Sequence, residues 1–332
     1  MWIFILQLRL SSHKFLILFN YFVSKALLNS RQINLTPFQD SHRITFSAMA
    51  SPCEVIIQTK NVNLAQQLGK IVSNEVWRIE DKYTRYNPRS VCGTINSGAG
   101  RFIPIDEETY LLLTFADQCY QLSDGKFDIT SGVLRKIWSF DGKTHSDNQF
   151  PSKHDINKLL GSIGWNKVIF NSRQVKIEQD MELDFGGVAK EYAVDKCILL
   201  AKEITDEPIL INFGGDIAVT CSRKNNETWK VAIERPYDDI TPPDNADMII
   251  SLKTGALATS GDTKRFFIKD GLRYGHVLNP LTGMPVSKAP RSITVAASQC
   301  IQAGIFATLA LLEGADANNF LTSQNVKYWS RR

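Results

Sequence analysis

The chain lacks the features that mark several protein classes. Its six cysteines (Cys53, Cys92, Cys119, Cys197, Cys221 and Cys300) are scattered, with no C-x-x-C pair. That spacing argues against a zinc ribbon or a thioredoxin-type motif, and nothing in it calls for disulfides. Several of the thiols sit in apolar runs as small core residues. A basic stripe is missing too, and the net charge of +4 is small for 332 residues, so nucleic acid is not an expected partner. There is no internal repeat, no low-complexity linker and no regular βαβ rhythm. A spanning helix needs roughly 20 predominantly apolar residues, and the apolar patches at Trp2 to Leu6 and Phe15 to Val23 are both shorter, the second broken by Asn20.

Acidic residues are absent before Asp40, whereas Arg9, Lys14, Lys25 and Arg31 are basic. Residues 1–42 therefore read as an N-terminal extension, either a weak signal or anchor, or the product of a misassigned start. A start at Met49 would delete a strand at Ile44 to Phe46, which favours a real segment. Membrane contact is expected only through this extension. Without it, a cytoplasmic protein is expected. Residues 43–332 form the folded body, with 43% hydrophobic and 22% charged residues in the whole chain, as in soluble globular proteins.

Within the body, Ile44 to Met49 and Cys53 to Ile57 read as short strands around Ala50-Ser51-Pro52. A long helix follows, capped by Asn61 or Asn63, with Leu64, Leu68, Ile71, Val72, Val76 and Ile79 on its apolar side. Glu107 to Leu122 reads as a second helix, ended by Ser123-Asp124-Gly125. Val168 to Phe170 and Val175 to Ile177 are short strands, and Asp141 to Asp155 a polar surface loop. Interspersed strands and helices predict an α+β architecture, a mixed sheet flanked by helices, and not a Rossmann fold.

The chemistry-bearing segments centre on Leu183-Asp184-Phe185-Gly186-Gly187-Val188-Ala189-Lys190-Glu191-Tyr192. It has the form of a strand end, a glycine turn and a helix start, with Val188, Tyr192 and Leu199 on one helix face. Such a turn lets backbone approach a ligand, and the helix N-terminus offers N–H groups to an anion. An ordinary strand-to-helix connection looks the same. Gly125-Lys126-Phe127-Asp128 could stack a flat ring and bond its edge, or Phe127 could be core and Asp128 a turn cap. Asn212-Phe213-Gly214-Gly215-Asp216 puts a carboxylate at a strand tip, or merely caps a turn. Ala258-Thr259-Ser260-Gly261-Asp262 and Arg273-Tyr274-Gly275-His276-Val277-Leu278-Asn279-Pro280 collect hydroxyls, backbone N–H groups and an imidazole that can move a proton near neutral pH. Gln302 to Leu312 is an apolar helix carrying the Thr308 hydroxyl.

In this order, from Met49 to Leu312, the segments resemble the ApbE-type flavin transferases, the FAD:protein FMN transferases. The resemblance implies that FAD binds in the fold with Mg²⁺ on its pyrophosphate. FMN then passes to a Thr or Ser hydroxyl of an acceptor flavoprotein, with release of AMP. It places Met49, Tyr86, Lys126, Phe127, Asp128, Asp184, Lys190 and Leu278 around FAD. The implied metal ligands are the Gly187 and Ala307 carbonyls and the Thr308 hydroxyl. The family's Ala-Asp-x-x-Ala-Thr pattern reads Ala303-Gly304-Ile305-Phe306-Ala307-Thr308 here, so Gly304 replaces an expected Asp ligand, and Asn279 stands where Asp is common. Hard Mg²⁺ favours carboxylate oxygen, so Asp216 or Asp262 is a candidate replacement. Phosphoryl transfer needs positioning and charge neutralisation above all. His276 is the expected base for the acceptor hydroxyl, with Asp262 second. The alternatives are a Mg²⁺-dependent FAD pyrophosphatase and a non-catalytic flavin-binding protein.

Overall fold

Two tight turns set the register of the central sheet. In the computed structural model, which describes residues 31–140, 150–234, 246–262, 265–269 and 272–332, Met49 and Ala50 both take positive φ, 51° and 54°. They close a hairpin between β2 (Ser41–Ala48) and β3 (Ser51–Ile57), because two left-handed residues match the twist of paired strands. Gly214 and Gly215, at φ 63° and 101°, do the same between β4 (Ile209–Phe213) and β5 (Asp216–Val219). Adding β1 (Asn34–Phe38), β6 (Gly255–Gly261), β7 (Ser292–Ala297) and β8 (Lys327–Arg331) gives an eight-stranded sheet. Its spatial order follows chain order, and every neighbouring pair is antiparallel. The helices and smaller sheets are insertions into this meander.

Strand periodicity assigns the two faces. Val55, Ile57, Ile209, Ile211, Phe213, Ala218, Ala256 and Ala258 point to the helix side and join the main core. Ile56, Leu210, Ile217, Val219 and Leu257 point the other way and are covered by the hairpin of Trp229–Glu234 and Ala246–Leu252. The helix layer contains α1 (Val62–Tyr83), α2 (Glu107–Leu122), α3 (Ala189–Ile204) and α4 (Cys300–Leu312). Asn61 caps α1, its Oδ1 accepting from the Leu64 N–H at 3.1 Å. Leu68, Val72, Val76 and Ile79 form the fully buried stripe of α1.

The α+β architecture and the boundaries of α2 are as the sequence predicts. Three local differences stand out. The sheet takes in Asn34–Phe38, within the expected extension, because β1 pairs along its length with β2. Lys153–Leu160 is a helix capped by Ser152, inside or just beyond the expected polar loop; residues 141–149 of that loop lie outside the described residues. On α3, Val188 is buried but Leu199 is 56% exposed. The face turned to the core is Glu191, Ala193, Val194, Cys197, Ile198 and Ala201. Small and sulfur-bearing residues, not the largest apolar ones, allow α3 to lie close to its neighbours. No helix among the described residues is long and apolar enough to cross a membrane; residues 1–30, with both N-terminal apolar patches, lie outside them.

Gly214 tests the turn argument. A Cβ there would lie 2.8 Å from the Ser51 side chain, in a left-handed backbone. Gly214→Ala is expected to destabilise the protein by about 1–2 kcal/mol from the conformation alone, with the Ser51 contact adding to it. The urea midpoint should fall at constant slope; an unchanged midpoint would contradict the turn geometry.

Candidate active site

Asp216 is the first residue after the Gly-Gly turn, and strand alternation puts it on the same face as Ala218, toward the helices. There it is 2% exposed. Lys190, in the first turn of α3, reaches it with Nζ 2.6 Å from Oδ2. The Thr259 backbone N–H also bonds the carboxylate. Burial pulls the Lys190 ammonium down, but Asp216 and Glu191 together more than offset that and leave it above its ordinary value. Burial lifts Asp216 against the pull of Lys190. The carboxylate expected at a strand tip is therefore a buried counter-ion. The turns that surround Lys190 are joined to one another: the Gly214 N–H donates to the Pro52 carbonyl at 2.9 Å, and the Met49 N–H donates to Glu80 Oε1 at 2.6 Å.

Phe185–Gly187 forms one 3₁₀ turn immediately before α3. Asp184 caps it, Oδ1 accepting from the Gly186 N–H at 3.0 Å, while Oδ2 pairs with Arg85. Arg85 also donates to the Tyr86 hydroxyl at 2.8 Å and lies over that ring, and Tyr86 is 80% exposed. Gly132 leaves room for Asp184, since a Cβ at 132 would stand 2.6 Å from the Asp184 Cβ. The Phe127 ring edge lies 3.4 Å from the position of a Cβ on Gly187. Asp128 is engaged at both oxygens. Oδ1 accepts from the Thr130 N–H at 2.7 Å and its hydroxyl at 2.6 Å, and Oδ2 accepts from the Trp165 N–H at 2.9 Å. Its geometry is that of a cap for Ile129–Lys136, which fixes the loop presenting Phe127. Lys126 anchors the same loop to the end of α4 through Glu313 at 2.5 Å.

A second group gathers beyond β6. Asp262 is held by Arg273, whose Nε donates to Oδ2 at 2.8 Å and whose Nη2 donates to the Asp262 carbonyl at 2.8 Å. The His276 ring is close to Phe140, and its backbone N–H donates to the Arg265 carbonyl at 3.1 Å. Nδ1 has no hydrogen-bond partner among the described residues. Burial, then the Arg265 charge, pushes the imidazole down to about 4, against a smaller upward pull from Asp262. His276 is thus a neutral acceptor at physiological pH. Leu278 packs with Val133, Trp138, Phe267 and Met284 in an aromatic-rich cluster. The replacement at Asn279 keeps a turn function: its Oδ1 accepts from the Leu281 N–H at 2.8 Å.

The two groups meet along β6 and α4. Ser260 Oγ lies 2.9 Å from the Thr308 hydroxyl, two residues before Asp262. The Ile129–Lys136 segment touches Asp184 through Gly132, and Leu134 lies near Gly283 of the 278–285 turn. Two carboxylates escaped the sequence reading. Asp195 on α3 caps α4, accepting from the Cys300 and Ile301 N–H groups at 2.7 and 2.9 Å. Glu191 is 8% exposed, and burial, then the Asp216 charge, pushes it up to about 8. The available signal was spacing, since Glu191, Val194 and Ile198 share one helix stripe. A groove of about 960 Å³ lined by Phe38, Arg43, Trp229 and Lys230 lies on the other face of the sheet and holds none of the expected site residues.

The sequence model of the ApbE family matches residues 49–329. The chain is 24% identical over 277 residues to the FAD:protein FMN transferase of Vibrio cholerae, covering 80% of this chain and 82% of that one. It is 26% identical over 276 residues to the FAD:protein FMN transferase of Klebsiella pneumoniae, with 81% and 82% covered. Among solved structures, the ApbE protein of Thermotoga maritima superposes with a TM-score of 0.77 at 26% identity, over 87% of this chain and 94% of that one.

The pH behaviour of His276 is testable. Its folded value of about 4 lies below the ordinary 6.5, so the unfolded chain binds more protons between the two. This group's contribution to stability is complete above about pH 6.5 and is lost as pH falls toward 4. NMR titration of the ring should find it neutral at pH 5, and a midpoint near 6.5 would contradict its burial beside Arg265.

Proposed function

The chain belongs to the ApbE family, and we propose that it transfers FMN from FAD to a Thr or Ser hydroxyl of an acceptor protein, releasing AMP. The observation that carries this reading is the family match over residues 49–329, on a chain in which the glycine turn, Lys190 and Thr308 lie on adjoining elements. In the transfer, the acceptor oxygen bonds to the FMN phosphorus, the bond from that phosphorus to the bridging oxygen breaks, and AMP leaves with that oxygen. His276 accepts the hydroxyl proton at a ring nitrogen. Its ring is unprotonated at neutral pH and its Nδ1 has no hydrogen-bond partner among the described residues; Asp262, tied to Arg273, comes second. Lys190 and the N–H groups at the start of α3 neutralise and orient the pyrophosphate. Arg85 and Tyr86, with the Phe127 and Met49 turns, frame the flavin end, and Leu278 closes the aromatic side.

Mg²⁺ fits the residues present. Glu191 Oε2 is buried without a hydrogen-bond partner among the described residues, an unsatisfied oxygen beside the elements that carry Gly187, Ala307 and Thr308. No group of three His, Cys, Asp or Glu side chains suited to a metal occurs among the described residues, so phosphate oxygens would complete the shell, as is usual for this ion. When bound, the ion supplies charge neutralisation of the pyrophosphate.

The test is the intact mass of a flavin-acceptor domain after incubation with this protein, FAD and Mg²⁺. One added FMN per acceptor and free AMP are expected, with loss of the adduct on chelation and a fall of about 10²- to 10⁴-fold in His276→Ala. Free FMN and AMP without adduct would replace the reading with a pyrophosphatase. FAD bound but unchanged across several acceptors would reduce it to a flavin-binding protein.

A further inference from the structure

Gly304 is the position where the family pattern has an Asp, and its surroundings explain how the chain tolerates the loss. A Cβ built on Gly304 would lie 2.6 Å from Glu191 Cγ, 2.8 Å from Oε1 and 3.0 Å from Cδ. The space a side chain at 304 would enter already holds the Glu191 carboxyl group, delivered from α3. Glu191 is 8% exposed, and its Oε2 has no hydrogen-bond partner among the described residues. A polar group buried in that way is costly unless something bonds it. The neighbouring charges account for only part of its environment. Lys190 is committed to Asp216 at 2.6 Å, and Asp195 is spent on the N-terminus of α4.

The helical spacing places this carboxyl group among the expected ligands. Gly304 and Thr308 are one turn apart on α4 and share a face. Gly187 precedes Glu191 by four residues, at the entrance to α3. Ser260 fixes the Thr308 hydroxyl from β6 at 2.9 Å. A cation between the glycine turn and Thr308 would face Glu191 where the family pattern supplies its Asp.

We propose that Glu191 is the carboxylate ligand of the divalent cation in this chain, its α3 side chain occupying the space opened on α4 by Gly304. The proposal rests on the flavin-transfer reading for the presence of a cation. It assigns the ligand to a residue outside the family's Ala-Asp-x-x-Ala-Thr segment, one whose side chain fills the space that Gly304 leaves. Neither Asp216 nor Asp262 then has to serve, and both are engaged, by Lys190 and Arg273.

The test measures Mn²⁺ binding to the full chain by the loss of free-Mn²⁺ electron paramagnetic resonance signal, with ADP as the pyrophosphate-bearing probe. Glu191→Gln keeps the side chain's shape and removes its charge. It should weaken Mn²⁺ binding at least about tenfold, with thermal melting retained. Gly304→Asp alone should be destabilising, because its Cβ meets Glu191. Combined with Glu191→Gly, it should regain stability and restore Mn²⁺ binding to within a few-fold of the parent. Parental Mn²⁺ affinity in Glu191→Gln, or a folded double variant that binds no better than Glu191→Gly, would overturn the proposal. Because the readout is metal binding, failure of FMN transfer to an acceptor leaves this result interpretable.

Discussion

The buried pair of Lys190 and Asp216 is the constraint from which the site follows. Burial pulls the Lys190 ammonium down, and Asp216 together with Glu191 more than restores it. Asp216 can face Lys190 only if β5 starts immediately after a two-glycine turn, with strand alternation aiming its first residue at the helices. The same ion pair therefore fixes the height of α3 over the sheet. The Phe185–Gly187 turn inherits its position from the start of α3, and Asp184, Arg85 and Tyr86 inherit theirs from the turn. Breaking a buried pair by removing one partner costs about 3–5 kcal/mol, so the arrangement resists drift.

Further along α3 the same logic repeats. Asp195 supplies the cap that α4 lacks, since Gln299 makes no side-chain cap of its own, and thereby locks two helices end to side. Between Lys190 and Asp195 lies Glu191, turned inward against Gly304. Asp195 has its charge met by two backbone N–H groups, whereas Glu191 Oε2 has no hydrogen-bond partner among the described residues. Globular cores do not normally retain such a group, and the proposed cation would meet it there. His276 is the other unsatisfied group: a ring kept neutral by burial, with no partner at Nδ1 among the described residues.

Much of the scaffold was legible because local signals agreed with one another. Glu107–Leu122 has an acidic cap and first turn, apolar periodicity and a Ser-Asp-Gly stop, and its bounds come out as read. Asn61 and the stripe from Leu68 to Ile79 did the same for α1. The face of α3 was misjudged because Leu199 is large and apolar yet exposed, while the close packing rests on Ala193, Cys197 and Ala201, which carry little hydrophobic signal. Asp216 read as a turn carboxylate because its counter-ion lies 26 residues earlier, a pairing only the tertiary structure creates. Asp128 was open to two readings, a ring contact or a turn cap, and its partners Thr130 and Trp165 give it the geometry of the cap. Glu191 was passed over for a like reason: the meaning of an acid on a buried stripe depends on the glycine facing it from another helix.

On the proposed function, the pyrophosphate of FAD and a divalent cation lie between the glycine turn before α3 and the Glu191–Gly304 contact. The most direct measurement is a crystal structure with FAD and Mn²⁺, located by anomalous scattering. A single strong peak is expected within bonding distance of a Glu191 carboxylate oxygen, the Thr308 hydroxyl and a phosphate oxygen, with Lys190 beside the other phosphate oxygens. A peak held by Asp216 or Asp262 with Glu191 turned away, or FAD seated in the groove beside Trp229, would contradict it.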